Sequence, residues 1–209
     1  MIDLNPDLDV NSEEVIIWER GQEGGRTRPI IQENLFENIK EVQEVLNKHN
    51  IRFCLSHGTV LGMIRDNAVI AWDDDIDIAL FIEDKPKILA AQEDLRKLGF
   101  FVPREGDPTK PINGFGEDYN MPYYDLVAIK RGEKIEGWFF DKHEKFYVYD
   151  KKRDGLAIPR KFMDTFSTYN WRGVDFPVPN HVEEYLTWMY NANWRTPNPA
   201  KKYNNNRES

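Results

Sequence analysis

Leu55–Phe81 reads LSHGTVLGMIRDNAVIAWDDDIDIALF, and its acidic-then-apolar end decides the fold. Asp73, Asp74, Asp75 and Asp77 place four carboxylates in five positions, directly before the apolar run Ile78, Ala79, Leu80 and Phe81. A strand that starts at Asp75 turns Asp75, Asp77 and Ala79 to one face and Ile76, Ile78 and Leu80 to the other. Two carboxylates held on one face of a rigid element repel by roughly 3 kcal/mol at about 5 Å and an effective dielectric of about 20. A fold accepts such a pair when it is solvated, protonated or bridged by a cation, and Mg²⁺ characteristically takes one or two carboxylates plus substrate phosphates. An acidic surface turn is the ordinary fate of a charge run, but Trp72 and Ile76 flank this one with groups that belong in a core. An EF-hand loop matches at Asp73, Asp75 and Asp77 and fails at its sixth position, where Ile78 stands in place of the required glycine.

Upstream, His57-Gly58-Thr59 follows the apolar stretch Ile51–Leu55 and opens a short helical pattern, Val60–Arg65. Gly58 lets backbone approach a phosphate closely, and amides at a helix N-terminus favour an anion. A Gly-Thr at a strand end, then a short helix, then Asp-x-Asp on the next strand pairs a phosphate cradle with a metal cradle. Phosphoryl transfer by positioning and charge neutralisation needs both.

The stretch HGTVLGMIRDNAVIAWDDDIDIAL resembles the signature of the LicD family, which includes fukutin and fukutin-related protein. A second patch, FPVPNHVEEYLTWMYNANWRTP, is similar to the closing segment of many members. The resemblance implies an α+β, nucleotidyltransferase-like mixed sheet flanked by helices. It also implies metal-dependent transfer of a phospho-alcohol, phosphocholine-like or a polyol phosphate, from a CDP-linked donor to a glycan or glycolipid hydroxyl, with release of CMP. On this reading Asp75 and Asp77 hold Mg²⁺ or Mn²⁺ against the donor diphosphate. A third carboxylate is expected on a neighbouring strand, and Asp125 in YYDLVAI is its candidate, either as a further metal ligand or as the base for the acceptor hydroxyl. Gly58 and Thr59 would cradle phosphate, with His57 and Arg65 as further phosphate contacts and Asp73 and Asp74 in supporting or structural roles.

The 209 residues suit one domain with a sizeable core. With 28 basic against 36 acidic residues, a net charge of −8, and no long basic stripe, nucleic acid is not an expected partner. Cys54, the only cysteine, excludes an intrachain disulfide and reads as core. No stretch approaches the ~18 apolar residues of a membrane span, and the acidic start MIDLNPDLDV is unlike a signal peptide. The expected compartment is the cytoplasm.

The expected layout is an irregular segment over 1–28, a single catalytic domain over 29–200 and a disordered tail over 201–209. From Pro29 the pattern is helical, with Ile31, Leu35, Ile39, Val42 and Leu46 on one face and His49 at the end. A second helix follows Pro86, its buried face marked by Ile88, Leu89, Leu95 and Leu98 and its stop by Gly99. Phe100–Val102 is strand-like, 103–121 is a long loop, and Tyr123–Ile129 is a strand. Hairpin turns at Lys130–Lys134 and Asp154-Gly155, aromatic strands between them and segments up to Phe176 make a small antiparallel C-terminal region, whose aromatics read as packing groups. Asn180–Tyr190 is a helix with Asn180 as cap and Glu183 completing a capping box.

Three other functions fit parts of this pattern. A nucleotidyltransferase would use the same cradle and release pyrophosphate from a triphosphate. A metal-dependent glycosyltransferase usually places a larger nucleotide-binding unit before its Asp-x-Asp than the 72 residues that precede Asp73. A catalytically dead binding module would not need Gly58, Thr59, Asp75 and Asp77 all intact.

Overall fold

The helix expected after Pro29 runs Gln32–Lys48 (α1), with Leu35, Ile39, Val42 and Leu46 fully buried along one stripe and Ile31 left exposed before its first turn. The computed structural model describes residues 30–71, 73, 75–102, 126–149 and 156–197. The segments at 1–28 and 201–209, the loop at 103–121, the Asp154-Gly155 turn and the candidate Asp125 lie outside the described residues.

Next come β1 (Phe53–Leu55), α2 (His57–Asp66) and β2 (Asp75–Phe81). The 3₁₀ turn Ile82–Asp84 leads into α3 (Lys85–Lys97), which has proline in its first turn and ends at Gly99 with φ +85°. Then β3 (Leu126–Lys130), β4 (Glu133–Lys142), β5 (Phe146–Val148), β6 (Ala157–Pro159), α4 (Arg160–Met163), β7 (Phe166–Trp171), β8 (Val174–Pro179) and α5 (Val182–Tyr190) complete the order. The class is α+β: a six-stranded mixed sheet with helices, and a separate antiparallel β7–β8 hairpin in the C-terminal region.

The sheet is organised around β2 and β4, which are parallel and in register from Asp75 opposite Lys134 to Phe81 opposite Phe140. β1 pairs antiparallel with β2, while β3 pairs antiparallel with the first half of β4 and β5 with its last two residues. All seven residues of β2 are buried, as expected of a strand covered on both faces. Gly137 is required on the apolar face, where a Cβ would come within 2.6 Å of Leu80 Cδ1 and 2.9 Å of Leu126 Cβ.

The β3–β4 connection is the two-residue loop Arg131-Gly132, with φ +55° and +73°. Two positive φ angles fit the type I′ turn that matches strand twist. α1 fastens it: Asn34 Nδ2 donates to the Arg131 carbonyl (2.9 Å), Asn38 Nδ2 to the Lys130 carbonyl (2.5 Å), and Glu41 receives both Lys130 and Arg131 (2.5 and 2.6 Å).

Three local expectations are corrected. In α3 the buried stripe is Ile88, Ala91, Gln92, Leu95 and Arg96, while Leu89 and Leu98 are exposed. Position on the helix decides this: the stripe through Ile88 and Leu95 passes over residues 91–92 and 96, and Arg96 is accommodated by donating to the Val102 carbonyl (3.0 Å). Phe100–Val102 forms only an isolated bridge, Phe101 to Ile129. Asn180 does not cap α5; His181 takes the cap position with φ +49°, and Asn180 is tied to the β7 side through Thr165 (3.1 Å) and Ser167 (3.2 Å).

Candidate active site

The carboxylate face of β2 is as the alternation dictates, with Asp75 and Asp77 together on one side and both buried. Parallel pairing sets Lys134 beside Asp75 and Glu136 beside Asp77. Alternation along β4 therefore turns Lys134, Glu136, Trp138 and Phe140 to the same face. Ligand oxygens of Asp75, Asp77 and Glu136 all lie within 4.8 Å of one another.

Each carboxylate has its own support. Asp75 Oδ2 is 2.8 Å from the Lys134 ammonium, which also donates to Glu136 Oε1 at 3.2 Å. Asp77 Oδ1 accepts from Trp138 Nε1 at 2.8 Å. Burial, and then the nearby charges of Asp75, Glu136 and Asp73, hold the Asp77 carboxyl well above the usual carboxylate range. A divalent ion held by these carboxylates would offset both burial and their mutual repulsion.

α2 starts at His57, three residues earlier than its apolar pattern suggests, so His57, Gly58 and Thr59 form its first turn. Thr59 joins this helix to the acidic strand, because its Oγ1 accepts from the Asp77 amide (2.8 Å) while the Ser56 amide donates to the Asp77 carbonyl (3.0 Å). The amides of a first turn have no intrahelical acceptor. That of His57 donates to the Tyr185 hydroxyl of α5 at 3.3 Å, which brings the C-terminal helix to the site. Gly58 allows a close approach: a Cβ there would lie 2.5 Å from Asp73 Oδ2, so the Asp73 carboxylate would have to shift. Asp73 thus comes up against the opening turn of α2, while Asp74 lies outside the described residues.

His57 adopts φ +47°, and its ring stands 5.7 Å from Trp138 and 6.4 Å from Phe140. Its Nδ1 is 2.9 Å from Ser56 Oγ, and burial pushes its pKa down to about 4, so the ring is neutral at pH 7. Trp138 also packs edge-on against Tyr149 at 4.8 Å, the packing role expected of these aromatics. Arg65 is placed elsewhere, six residues or roughly 9 Å along α2 from Thr59, with its guanidinium bonded to Asp66 (2.6 Å).

The structure therefore brings Asp75, Asp77, Thr59, Gly58 and His57 together and sets Arg65 apart. The residues that sequence reasoning missed are Glu136, Lys134 and Trp138. Their signal was present in KIEGWFF, where Lys134, Glu136 and Trp138 alternate with Ile135, Gly137 and Phe139.

Among known proteins, residues 50–181 match the family described as LicD/FKTN/FKRP, nucleotidyltransferase domain. An uncharacterized protein of Rickettsia prowazekii (strain Madrid E) is 33% identical over 162 residues, covering 74% of this chain and 55% of that protein. The ribitol 5-phosphate transferase FKRP of Mus musculus is 36% identical over 188 residues, covering 85% of this chain and 36% of that protein. The chain thus spans about half or less of the length of these relatives. A solution structure of the antibiotic-resistance factor ANT(2'')-Ia aligns with a TM-score of 0.40 at 14% identity, over 68% of this chain and 62% of that one.

Proposed function

Since the chain belongs to the LicD/FKTN/FKRP nucleotidyltransferase-domain family, we propose that it is a metal-dependent phosphotransferase that moves a phospho-alcohol from a CDP-linked donor to a glycan or glycolipid hydroxyl and releases CMP. The observation that carries this reading is the convergence of Asp75, Asp77 and Glu136 on one face, against the first turn of α2. Three carboxylates make an all-oxygen donor set, which suits Mg²⁺ or Mn²⁺ and not a softer ion. The raised Asp77 carboxyl marks the same need for positive charge.

Asp75, Asp77 and Glu136 would hold the ion, and the charge it supplies would neutralise the donor diphosphate. The Gly58 and Thr59 amides, in a turn without intrahelical acceptors, would orient a phosphate oxygen. Trp138 fixes Asp77 by its indole N–H, and Thr59 fixes the strand that carries it. A neutral His57 at the mouth of α2 is a hydrogen-bonding partner for phosphate or acceptor. Asp125 is retained as the proposed base for the acceptor hydroxyl. Ribitol phosphate, the group named for the mouse relative, is one candidate for transfer. No helix among the described residues is long and apolar enough to cross a membrane, and with Cys54 a buried free thiol the cytoplasm is the proposed compartment.

The test incubates the protein with Mn²⁺ and a panel of CDP-alcohols and nucleoside triphosphates. CMP release from a CDP-alcohol is expected. Pyrophosphate release from a triphosphate, with none of the CDP-alcohols consumed, would replace this reading with nucleotidyl transfer.

A further inference from the structure

Lys134 sits where a bound cation would. Its ammonium lies between Asp75 (2.8 Å) and Glu136 (3.2 Å), two of the three carboxylates that converge, and leaves Asp77 to the Trp138 indole. The register brings the two side chains within reach, since Lys134 is the cross-strand neighbour of Asp75 on the same face. A divalent ion would draw on the same two carboxylates, and two cations this close repel strongly. Lysine is suited to give way: it is a compact charge on a flexible four-carbon stem, and this side chain keeps 19% of its surface exposed.

We infer that Lys134 is an exchangeable cation: it holds Asp75 and Glu136 together in the metal-free protein, and passes to the diphosphate of a nucleotide donor when a divalent ion takes those oxygens. A cation then faces Asp75 and Glu136 in both states, and the lysine reaches the anion only after the metal has arrived. The order of binding follows, with metal before nucleotide. The inference rests on the proposed donor chemistry for the identity of the anion, but the displacement of Lys134 by metal stands on the ion pairs alone.

Two measurements test it, both on the full chain. The first labels lysine amines in the unsubstituted protein and reads Lys134 by mass spectrometry in the absence of metal, with Mn²⁺, and with Mn²⁺ plus CDP. Labelling of Lys134 is expected to rise severalfold with Mn²⁺ and to fall again with CDP. No response to Mn²⁺, at concentrations where calorimetry shows Mn²⁺ bound, would overturn the inference. A rise that CDP does not reverse, although calorimetry shows CDP bound, overturns the transfer to the diphosphate, whereas a protein that binds no CDP sinks the CDP donor instead, so the two failures are distinct. The second measurement compares Lys134→Met and Lys134→Arg by calorimetry. Lys134→Met should bind Mn²⁺ several-fold more tightly and CDP, at saturating Mn²⁺, about tenfold more weakly, while Lys134→Arg stays within about threefold of the unsubstituted protein for CDP. Tighter Mn²⁺ with unchanged CDP would make Lys134 a fixed counter-ion and refute the exchange, as would a parallel loss of both affinities in a folded variant.

Discussion

The two ends of β2 handle charge in opposite ways. At its end, Phe81 packs under the Arg52 guanidinium at 4.0 Å, with the Phe166 and Tyr147 rings at 4.9 and 5.6 Å, and Arg52 donates to the Tyr147 hydroxyl (3.1 Å) and to the Met163 carbonyl. One cation there meets several acceptors and ring faces. At its start, three carboxylates converge, with the Lys134 ammonium against Asp75 and Glu136 and the Trp138 indole on Asp77. The first arrangement is complete and holds β1, β2 and the C-terminal region together. The second gathers three carboxylates, and burial together with their mutual repulsion raises the Asp77 carboxyl. Removing charge should therefore weaken one end and relieve the other.

The largest effect on metal binding is expected at the acidic end. Asp75→Asn and Asp77→Asn keep shape but remove charge, so Mn²⁺ affinity measured calorimetrically should fall at least about tenfold, about 1.4 kcal/mol. In the metal-free state Asp77→Asn should instead stabilise the fold, with a definite pH signature. Asp77 has a raised carboxyl in the folded protein, chiefly from burial and then from Asp75 and Glu136. Its contribution is intact below the unfolded carboxylate pKa and is lost as pH rises through the raised folded value. Urea melts with chelator should thus show no advantage of the variant in acid and a growing one above the usual carboxylate range. Asp94 and Asp164, held low by hydrogen bonds from Lys48 and Arg160, run the other way and are common to both proteins. An Asp77→Asn protein that loses stability at neutral pH would show that the acidic end is not under charge stress.

The contrasting end comes next. Arg52→Ala should cost about 2–3 kcal/mol, from lost ring contacts and two hydrogen bonds, with Mn²⁺ affinity unchanged. A loss of metal affinity in that variant, with folding intact, would mean that the two ends are coupled. The smallest effect is expected at Trp138→Phe, which deletes the donor to Asp77 while keeping an aromatic ring. About 1 kcal/mol of stability and a shift of Mn²⁺ affinity of only a few-fold would fit a supporting role. A loss as large as that of Asp77→Asn would move Trp138 into the core of the binding site.

How much of this was legible beforehand follows from the range of the interactions involved. Asp75 and Asp77 could be placed on one face because alternation is a local property, and α1 could be read because its stripe repeats within a few residues. Glu136 could not, because its partnership with Asp77 depends on a parallel register between segments about sixty residues apart, and no periodicity within either segment encodes that register. Asp125 is the acid that stands out locally, isolated in the apolar run YYDLVAI, whereas Glu136 lies in KIEGWFF, whose aromatics read as packing groups. Leu89 and Leu98 show that hydrophobicity alone does not fix burial: both are exposed, while the buried stripe of α3 runs through Gln92 and Arg96.

The Arg131-Gly132 turn carries a consequence for how such a chain can vary. It sets the length of the β3–β4 connection, and α1 clamps it through Asn34, Asn38 and Glu41. Side chains alternate with a period of two, so one residue inserted there and taken up by a slip of β4 would swing Ile135 and Gly137 to the carboxylate face and carry Glu136 and Lys134 away from it. Two residues would restore the same face. The hairpin therefore imposes a parity rule on insertions and deletions: even steps conserve the chemistry of the face, and odd steps exchange an acidic wall for a greasy one.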